Sequence, residues 1–289
     1  MEIVRVNKEN CSKLKGYWDE LSKNIPYFYP VTTDELIYSL LEDRRYGEII
    51  FNYLETYLIE EDNEILGFIQ FGEPHIYWDT NGKKVYDPNI GVIRHIYFNE
   101  DRHEAGKMLV NKAEDFFKNS SFDNCFAFNH VLGLSCTAYH GKLHESKIYI
   151  AKLLGEYGYE IEHENVYYTI DLTTKQQVEI DEDIKVIKNG INEYNKEVID
   201  FIYKGEKIGE SVVLYLDNVK TVYMSTLWID NKYSNNGFGS KFIKMICNDL
   251  RTKGYEKLDL DTAKNNLGGQ RFYERNTFVS KGITRSYFK

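Results

Sequence analysis

Trp228-Ile229-Asp230-Asn231-Lys232-Tyr233-Ser234-Asn235-Asn236-Gly237-Phe238-Gly239-Ser240-Lys241-Phe242 is the stretch on which the fold turns. An apolar strand ends at Ile229, a loop with two glycines follows, and a helix begins with apolar residues at Phe242, Ile243, Ile246 and Leu250. Unpaired N–H groups at a helix start converge on an anion, and the helix dipole adds to the attraction. Gly237 and Gly239 put no side chain between backbone and phosphate, and they permit positive φ. A P-loop needs Gly-Lys-Ser/Thr, whereas Gly239 is followed by Ser240 and then Lys241. The dinucleotide fingerprint needs three glycines in a parallel βαβ unit, and only two are present here. On pattern alone, a structural turn and a pyrophosphate cradle both remain open.

Working outward, Ile184 to Ile187 reads as a strand, and Val198 to Tyr203 with Lys207 to Leu216 as a hairpin around Lys204-Gly205-Glu206. Thr221 to Ile229 is a strand, Ser240 to Lys253 a helix and Lys257 to Asp261 a strand. Asn266 to Arg275 is a short helix, and Phe278 to Phe288 a terminal hairpin turning near Gly282. Nearer the N-terminus the same order occurs in longer form. A strand at Glu2 to Asn7 and helices at Lys13 to Leu21 and Asp34 to Arg45 lead it, with Thr32 or Thr33 as the N-cap. A hairpin over Ile50 to Phe71, a strand at Ile90 to Phe98 and a helix at Glu104 to Lys118 follow. A strand at Phe122 to Asn129, a long helix at Lys142 to Tyr157, and a strand or strand pair at Tyr159 to Leu172 complete it. Glu73 to Asn89 reads as a projecting hairpin with Asn81-Gly82 at its turn.

The repeated order points to an internal duplication. Glu64-Ile65-Leu66-Gly67 echoes Glu206-Lys207-Ile208-Gly209, Ile96-Tyr97-Phe98-Asn99 echoes Leu227-Trp228-Ile229-Asp230, and Gly158-Tyr159 echoes Thr277-Phe278. The polar stretch Thr173 to Asp183 reads as a linker, giving domains at 1–172 and 184–289.

The order hairpin, strand, Gly-x-Gly loop, helix, strand, Tyr-bearing helix resembles the GNAT superfamily of acyl-CoA-dependent N-acyltransferases. That family's loop reads Arg/Gln-x-x-Gly-x-Gly/Ala; here Ser234-Asn235-Asn236-Gly237-Phe238-Gly239 matches both glycines and departs at Ser234. Its second signature, Asn-x-x-Ala-x-x-x-Tyr before a Gly-Phe corner, stands as Asn266 to Phe278, with Gly269 for Ala and Thr277 for Gly. The resemblance implies an α+β fold of two tandem GNAT-like modules, each a mixed, mostly antiparallel sheet flanked by helices. It implies acetyl-CoA as co-substrate. Its pyrophosphate would lie on the amides of Asn235, Asn236, Gly237, Phe238, Gly239 and Ser240. Its pantetheine would lie along the backbone of Leu227, Trp228 and Ile229, in a splay between that strand and Leu258 to Asp261. By the same resemblance Tyr273 is the general acid for the leaving thiolate, or else packs its helix onto the sheet. Asn266 holds pantetheine or a water, or caps its helix. The implied reaction is N-acetyl transfer to a small amine or peptide amine; the contrasting reading is a non-catalytic CoA-binding sensor or interaction protein.

Acyl transfer also calls for a base, and Asp230, Glu210, Asp259 and Asp261 are all placed to serve. The first copy departs where chemistry matters. Its loop, Asn99 to Lys107, is shorter and carries Glu104 where phosphate would sit, and Leu154 falls where Tyr273 stands. A degenerate first module is the expectation.

Of the remaining motifs, His140 and His144 have i, i+4 spacing but lack the Glu of a metalloprotease helix, so no metal site is expected. Cys136 lies near them in sequence and reads as a buried thiol rather than a nucleophile. The chain has 289 residues, 42% hydrophobic and 28% charged, with a formal charge of −9. That balance supports real cores, lacks the basic footprint of nucleic-acid binding, and suits a cationic substrate. The 24 Tyr and 16 Phe leave coding bias and an aromatic-lined pocket both open. Four scattered cysteines, a start charged from Glu2 and no long apolar run give a cytoplasmic protein with neither leader nor membrane span as the expectation.

Overall fold

The computed structural model describes residues 1–78, 83–178 and 182–289. They form two compact units, Met1–Glu164 with Thr284–Lys289, and Asn165–Ile283. The division falls inside two strands and not at the polar stretch 173–183. Asn165 to Asp171 pair with Lys257 to Ala263, which draws them into the second unit. Tyr287 and Phe288 pair with Ala127 and Phe126, which draws the chain's end into the first.

In the first unit, β1 (Glu2–Arg5), β2 (Phe51–Glu61), β3 (Glu64–Pro74), β4 (Ile90–Phe98) and β5 (Asn124–Ala127) are neighbours in that order. Every pairing is antiparallel except β4 with β5. Leu58, Ile59, Leu66, Phe68, Ile69 and Phe71 bury β2 and β3, and β4 is buried along its whole length, as its near-continuous apolar run requires. Helix α1 (Leu14–Ser22) buries Trp18, stacked on Phe28 at 4.3 Å. Helix α2 (Thr33–Leu41) starts at a capping box in which Thr32 and Glu35 each satisfy the other's backbone. Helix α3 (His103–Ser120) turns Leu109, Val110, Ala113 and Phe117 inward and packs on β3 and β4. Helix α4 covers only Ile148–Glu156. The long helix expected from Lys142 is not formed, because Leu143 and His144 extend to pair with Arg285 and Thr284. Ile76–Trp78 pairs with Lys84–Tyr86, as a hairpin expects, and its Asn81-Gly82 turn lies outside the described residues.

One continuous strand, β6 (Glu160–Asp171), enters the second unit. There β7 (Ile184–Ile191), β8 (Lys196–Tyr203), β9 (Glu206–Leu216), β10 (Thr221–Ile229) and β11 (Lys257–Ala263) follow, in the spatial order β6-β11-β10-β9-β8-β7. Only β10 with β11 is parallel. Helix α5 (Phe238–Thr252) buries Phe242, Ile243, Ile246, Cys247 and Leu250, the apolar face its 3.6-residue spacing predicts. These meet Val222, Met224, Leu258, Leu260 and Phe201 in one core; each such side chain is worth about 1.5–3 kcal/mol on burial. Helix α6 (Leu267–Arg275) precedes β12 (Val279–Phe288). The hairpin expected at Gly282 is instead one strand, with Gly282 at φ +114° inside it. Among the described residues, no helix is long and apolar enough to cross a membrane.

Candidate active site

Strand β10 keeps β9 beside it as far as Gly209 opposite Ile229. Its pairing with β11 stops earlier, at Met224 opposite Leu260. Between Val212 and Val213 the β9–β10 register slips, so Ser225 is an extra residue with no partner. A bulge sharpens local twist and bends its strand. Here it falls one residue beyond the last parallel pair, and β10 parts from β11 at that point. Ser225, Thr226 and Trp228 are exposed along the parted edge, while Leu227 and Ile229 pack on the core.

The parted strand runs directly into the glycine loop. Asp230 caps a short turn over Asn231–Tyr233 by accepting from the Lys232 N–H at 2.9 Å. Asn235 then takes φ +63° and Gly237 φ +80°, and α5 begins at Phe238 without a side-chain cap. The first-turn amides are left without an intrahelical partner, as in any helix, and no side chain caps them. A Cβ on Gly237 would meet nothing within 4 Å. Gly239 has a different reason: a Cβ there would stand 3.0 Å from Phe272 Cε2 and 3.9 Å from Ile229 Cγ1. It is the contact point of α6 on α5, so the two glycines answer to different constraints, backbone conformation at Gly237 and packing at Gly239.

Tyr273 projects from α6 among Tyr168, Phe272 and Phe278, with ring centroids 5.9, 5.1 and 5.5 Å away. Burial, and then the charge of Asp261, push its pKa up to about 12. With that pKa its hydroxyl is protonated at neutral pH and able to donate a hydrogen bond. Asn266 is the N-cap of α6: its Oδ1 accepts from Gly269 N–H at 3.0 Å and its Nδ2 donates to Thr262 Oγ1 at 3.1 Å. A Cβ on residue 269 would lie 2.5 Å from that Nδ2, which accounts for Gly269.

The four carboxylates separate. Asp230 is spent on its turn. Glu210 is paired with Lys207 at 2.8 Å. Asp259 is buried and accepts from Tyr167 Oη at 3.3 Å. Asp261 lies on β11 just past the last parallel pair, accepting from Tyr223 Oη at 2.7 Å and from the Asn165 amide.

Residues 162–278 match the acetyltransferase (GNAT) family. This segment is a GNAT domain. Three solved structures share the fold over 100% of this chain. One is a GCN5-related glucosamine N-acetyltransferase region in a fungal multi-domain GH3 beta-N-acetylglucosaminidase, of which the chain spans 38% (TM-score 0.68, 11% identity). Another is the GCN5-related N-acetyltransferase of Sphaerobacter thermophilus, covered over 95% (TM-score 0.66, 10% identity). The third is a tandem GNAT protein from the clavulanic acid biosynthesis pathway, covered over 98% (TM-score 0.64, 9% identity). At such identities the likeness is one of fold: two tandem GNAT-like modules of α+β class. No curated protein matches the chain.

In the first unit two neighbouring strands also part beside a bulge. Pairing of β4 with β5 stops at Ile93 opposite Ala127, and the β3–β4 register slips between Gln70 and Phe71, leaving Arg94 as the extra residue. Arg94 is buried, donating to Leu132 O at 2.6 Å, Gly133 O at 2.9 Å and Gln70 Oε1 at 3.0 Å. Tyr149 Oη donates to Phe98 O at 2.8 Å. A Cβ on Gly106 would strike Phe98 and Leu153, the counterparts of Ile229 and Phe272, so Gly106 stands where Gly239 does. Yet α3 starts at His103, three residues ahead of Gly106, whereas α5 starts one residue ahead of Gly239. Glu104 lies among the extra helical residues. His140 is buried against Tyr27, and Cys136 is a buried thiol whose pKa burial pushes up to about 12.

Proposed function

We propose that the GNAT domain is an acetyl-CoA-dependent N-acetyltransferase acting on a small amine or peptide amine. The observation that carries this is the continuity of β10: one segment offers a parted strand edge, then an uncapped helix start behind Gly237. An amide-bearing pantetheine pairs with a free strand edge as another strand would, and a pyrophosphate suits the helix start. Backbone of Leu227, Trp228 and Ile229 would take the first, and amides from Asn235 to Ser240 the second. Tyr273 would face the sulfur. A thiol has an ordinary pKa near 8.5, so complete proton transfer from a tyrosine at about 12 is uphill by roughly 3.5 units. Tyr273 therefore works first as a hydrogen-bond donor to the growing thiolate, and full transfer needs its pKa to fall. Asn266 acts on the ligand only through the helix it caps. On this reading the first unit takes no CoA.

The test is a thermal-shift titration with acetyl-CoA and desulfo-CoA, on wild type and Gly237→Glu. Ligand that binds the native state raises Tm by mass action. A saturable shift lost in Gly237→Glu, with one CoA per chain, supports the reading; no shift at millimolar CoA removes it. Turnover of an amine that falls at least tenfold in Tyr273→Phe supports catalysis. Binding without turnover on any amine points to a sensor.

A further inference from the structure

We infer that the edge of β2 left open beyond β1, in the first unit, is a docking site for a short extended peptide that carries an apolar side chain beside a basic one. β1 and β2 pair from Glu2 opposite Glu60 to Arg5 opposite Tyr57, and the Val6 N–H then donates to the Thr56 carbonyl at 2.8 Å. There the chain leaves β2. The Asn7 carbonyl accepts the Cys11 N–H at 3.0 Å, and its Oδ1 accepts from the Glu9 and Asn10 N–H groups. In an antiparallel strand, alternate residues turn their N–H and C=O to the same edge. Thr56 faces the β1 edge, so Leu54 presents its own N–H and C=O there, and among the described residues no other segment bonds them. The gap closes at Phe51, whose N–H meets the Asp43 carbonyl at 3.4 Å. From Asn52 to Glu55, at about 3.3 Å per residue, the open edge spans ~13 Å, room for about three residues of extended chain.

A cleft of about 260 Å³ opens on this edge, and the end of α2 forms its other wall. Leu40, Leu41, Phe51 and Leu54 give it an apolar lining. Leu40 and Phe51 are buried, whereas Leu41 is 39% exposed, an apolar side chain that a ligand would cover. The charged residues of the lining are Arg5, Asp43 and Glu55, one positive against two negative. Arg5 holds Glu55 at 2.7 Å, and Asp43 stands exposed. That excess favours a cation on the ligand.

An open strand edge is a hazard that proteins normally cover or blunt. An extended peptide would satisfy Leu54 as Val6 satisfies Thr56, with its alternate side chains on the two faces of the sheet. Thr56 and Gln70 face α2: Gln70 Nε2 donates to Leu40 O at 2.6 Å and to Thr56 Oγ1 at 2.7 Å. Leu54, two residues along, points the same way. The peptide residue directly opposite Leu54 shares its face and meets Leu40 and Leu41, which sets an apolar choice there. A Lys or Arg beside it reaches the carboxylates of the rim. This site is independent of the acetyl-transfer reading.

The experiment follows the Leu54 amide of the full chain by hydrogen exchange during titration with three blocked tripeptides. These are Ac-Lys-Leu-Lys-NH2, the same peptide methylated on its leucine nitrogen, and Ac-Glu-Leu-Glu-NH2. The expected result is saturable protection of Leu54 by the lysine peptide and weaker binding of the glutamate peptide. Methylation removes the N–H that Leu54 O would accept, and affinity falls about tenfold. Asp43→Asn, at an exposed position, weakens the lysine peptide by roughly threefold. No protection at millimolar lysine peptide overturns the site. Equal binding of the methylated peptide overturns edge pairing, and equal binding of the glutamate peptide overturns the basic partner. If Leu54 is protected without peptide and loses that protection on dilution, a second copy covers the edge and the peptide proposal falls.

Discussion

Gly158 and Thr277 hold the same left-handed corner of the two repeated units, at φ +85° and +68°. In each case the residue's N–H bonds the carbonyl three back, Gly155 or Glu274, at 3.0 Å. The next N–H, of Tyr159 or Phe278, bonds the carbonyl five back, Leu154 or Tyr273, at 3.1 Å. This is a helix C-terminal motif that favours glycine, and a β-branched residue there is strained by about 1–2 kcal/mol. Thr277→Gly relieves that strain and adds about 0.5–1 kcal/mol of unfolded-chain entropy. The expected net is a stabilisation of roughly 0.5–1 kcal/mol, seen as a Tm rise of about 2–4 °C. A fall in Tm would show that Thr277 makes contacts worth more than its strain.

That corner was legible in the sequence because a Gly-Tyr and a Thr-Phe stand at matching places after matching helices. So were β4 and β10, whose ends the apolar runs mark to the residue, and the loop into α5. The bulges at Arg94 and Ser225 were not. A bulge depends on register against the neighbouring strand, and neither residue type nor spacing records that register. The Lys142 helix failed for a related reason: its apolar spacing suits a helix, but Leu143 and His144 pair with residues about 140 positions on. The choice among four carboxylates likewise waited on partners, since only the structure shows that Lys207 holds Glu210. Gly282 reads as a turn in the sequence, but one strand runs through it from Val279 to Phe288, with its positive φ absorbed inside the strand.

The two loop glycines are expected to respond differently. Gly237 needs its positive φ but has space, so Gly237→Ala costs about 1 kcal/mol of strain and leaves the cradle open. Gly239→Val drives branched atoms into the Phe272 ring, already 3.0 Å from an ideal Cβ, and costs about 1–3 kcal/mol. It also shifts α6, which carries Tyr273. Chemical denaturation and acetyl-CoA titration separate the two: Gly237→Ala keeps affinity within about tenfold, and Gly239→Val loses both stability and turnover. Equal effects at both sites would contradict the separation of backbone conformation at Gly237 from packing at Gly239.

Alkaline pH tests the buried tyrosines. Burial pushes Tyr273 and Tyr287 up to about 12 in the folded chain, against an ordinary value of 10. Between those values the unfolded chain has lost these protons while the folded chain retains them. Stability is therefore complete below pH 10 and falls as pH rises from about 10 to 12. Urea midpoints measured from pH 8 to 11.5 should drop above pH 10, less so in Tyr273→Phe. A flat profile would mean that these hydroxyls ionise as freely folded as unfolded.

His95 offers the sharpest stability test in the first unit. It is fully buried, with ring neighbours Phe28, Tyr97 and Phe128 at 6.5, 6.2 and 6.0 Å. Neither ring nitrogen has a hydrogen-bond partner among the described residues. Burial, followed by the charges of Arg94 and His140, holds its pKa well below 6.5. Leaving a buried polar group unsatisfied costs about 1–3 kcal/mol, and an apolar replacement of like shape avoids that cost. His95→Phe should therefore stabilise the unit by about 1 kcal/mol after some loss to overpacking. A second signature follows from the neutral ring. Because the unfolded chain binds the histidine proton first, wild type loses stability as pH falls below about 6.5, and His95→Phe lacks that contribution. Denaturation midpoints of both proteins at pH 5 and pH 7.5 measure it: the gap should widen at pH 5. If His95→Phe is instead destabilised at both values, the imidazole makes interactions worth more than the apolar packing that replaces it.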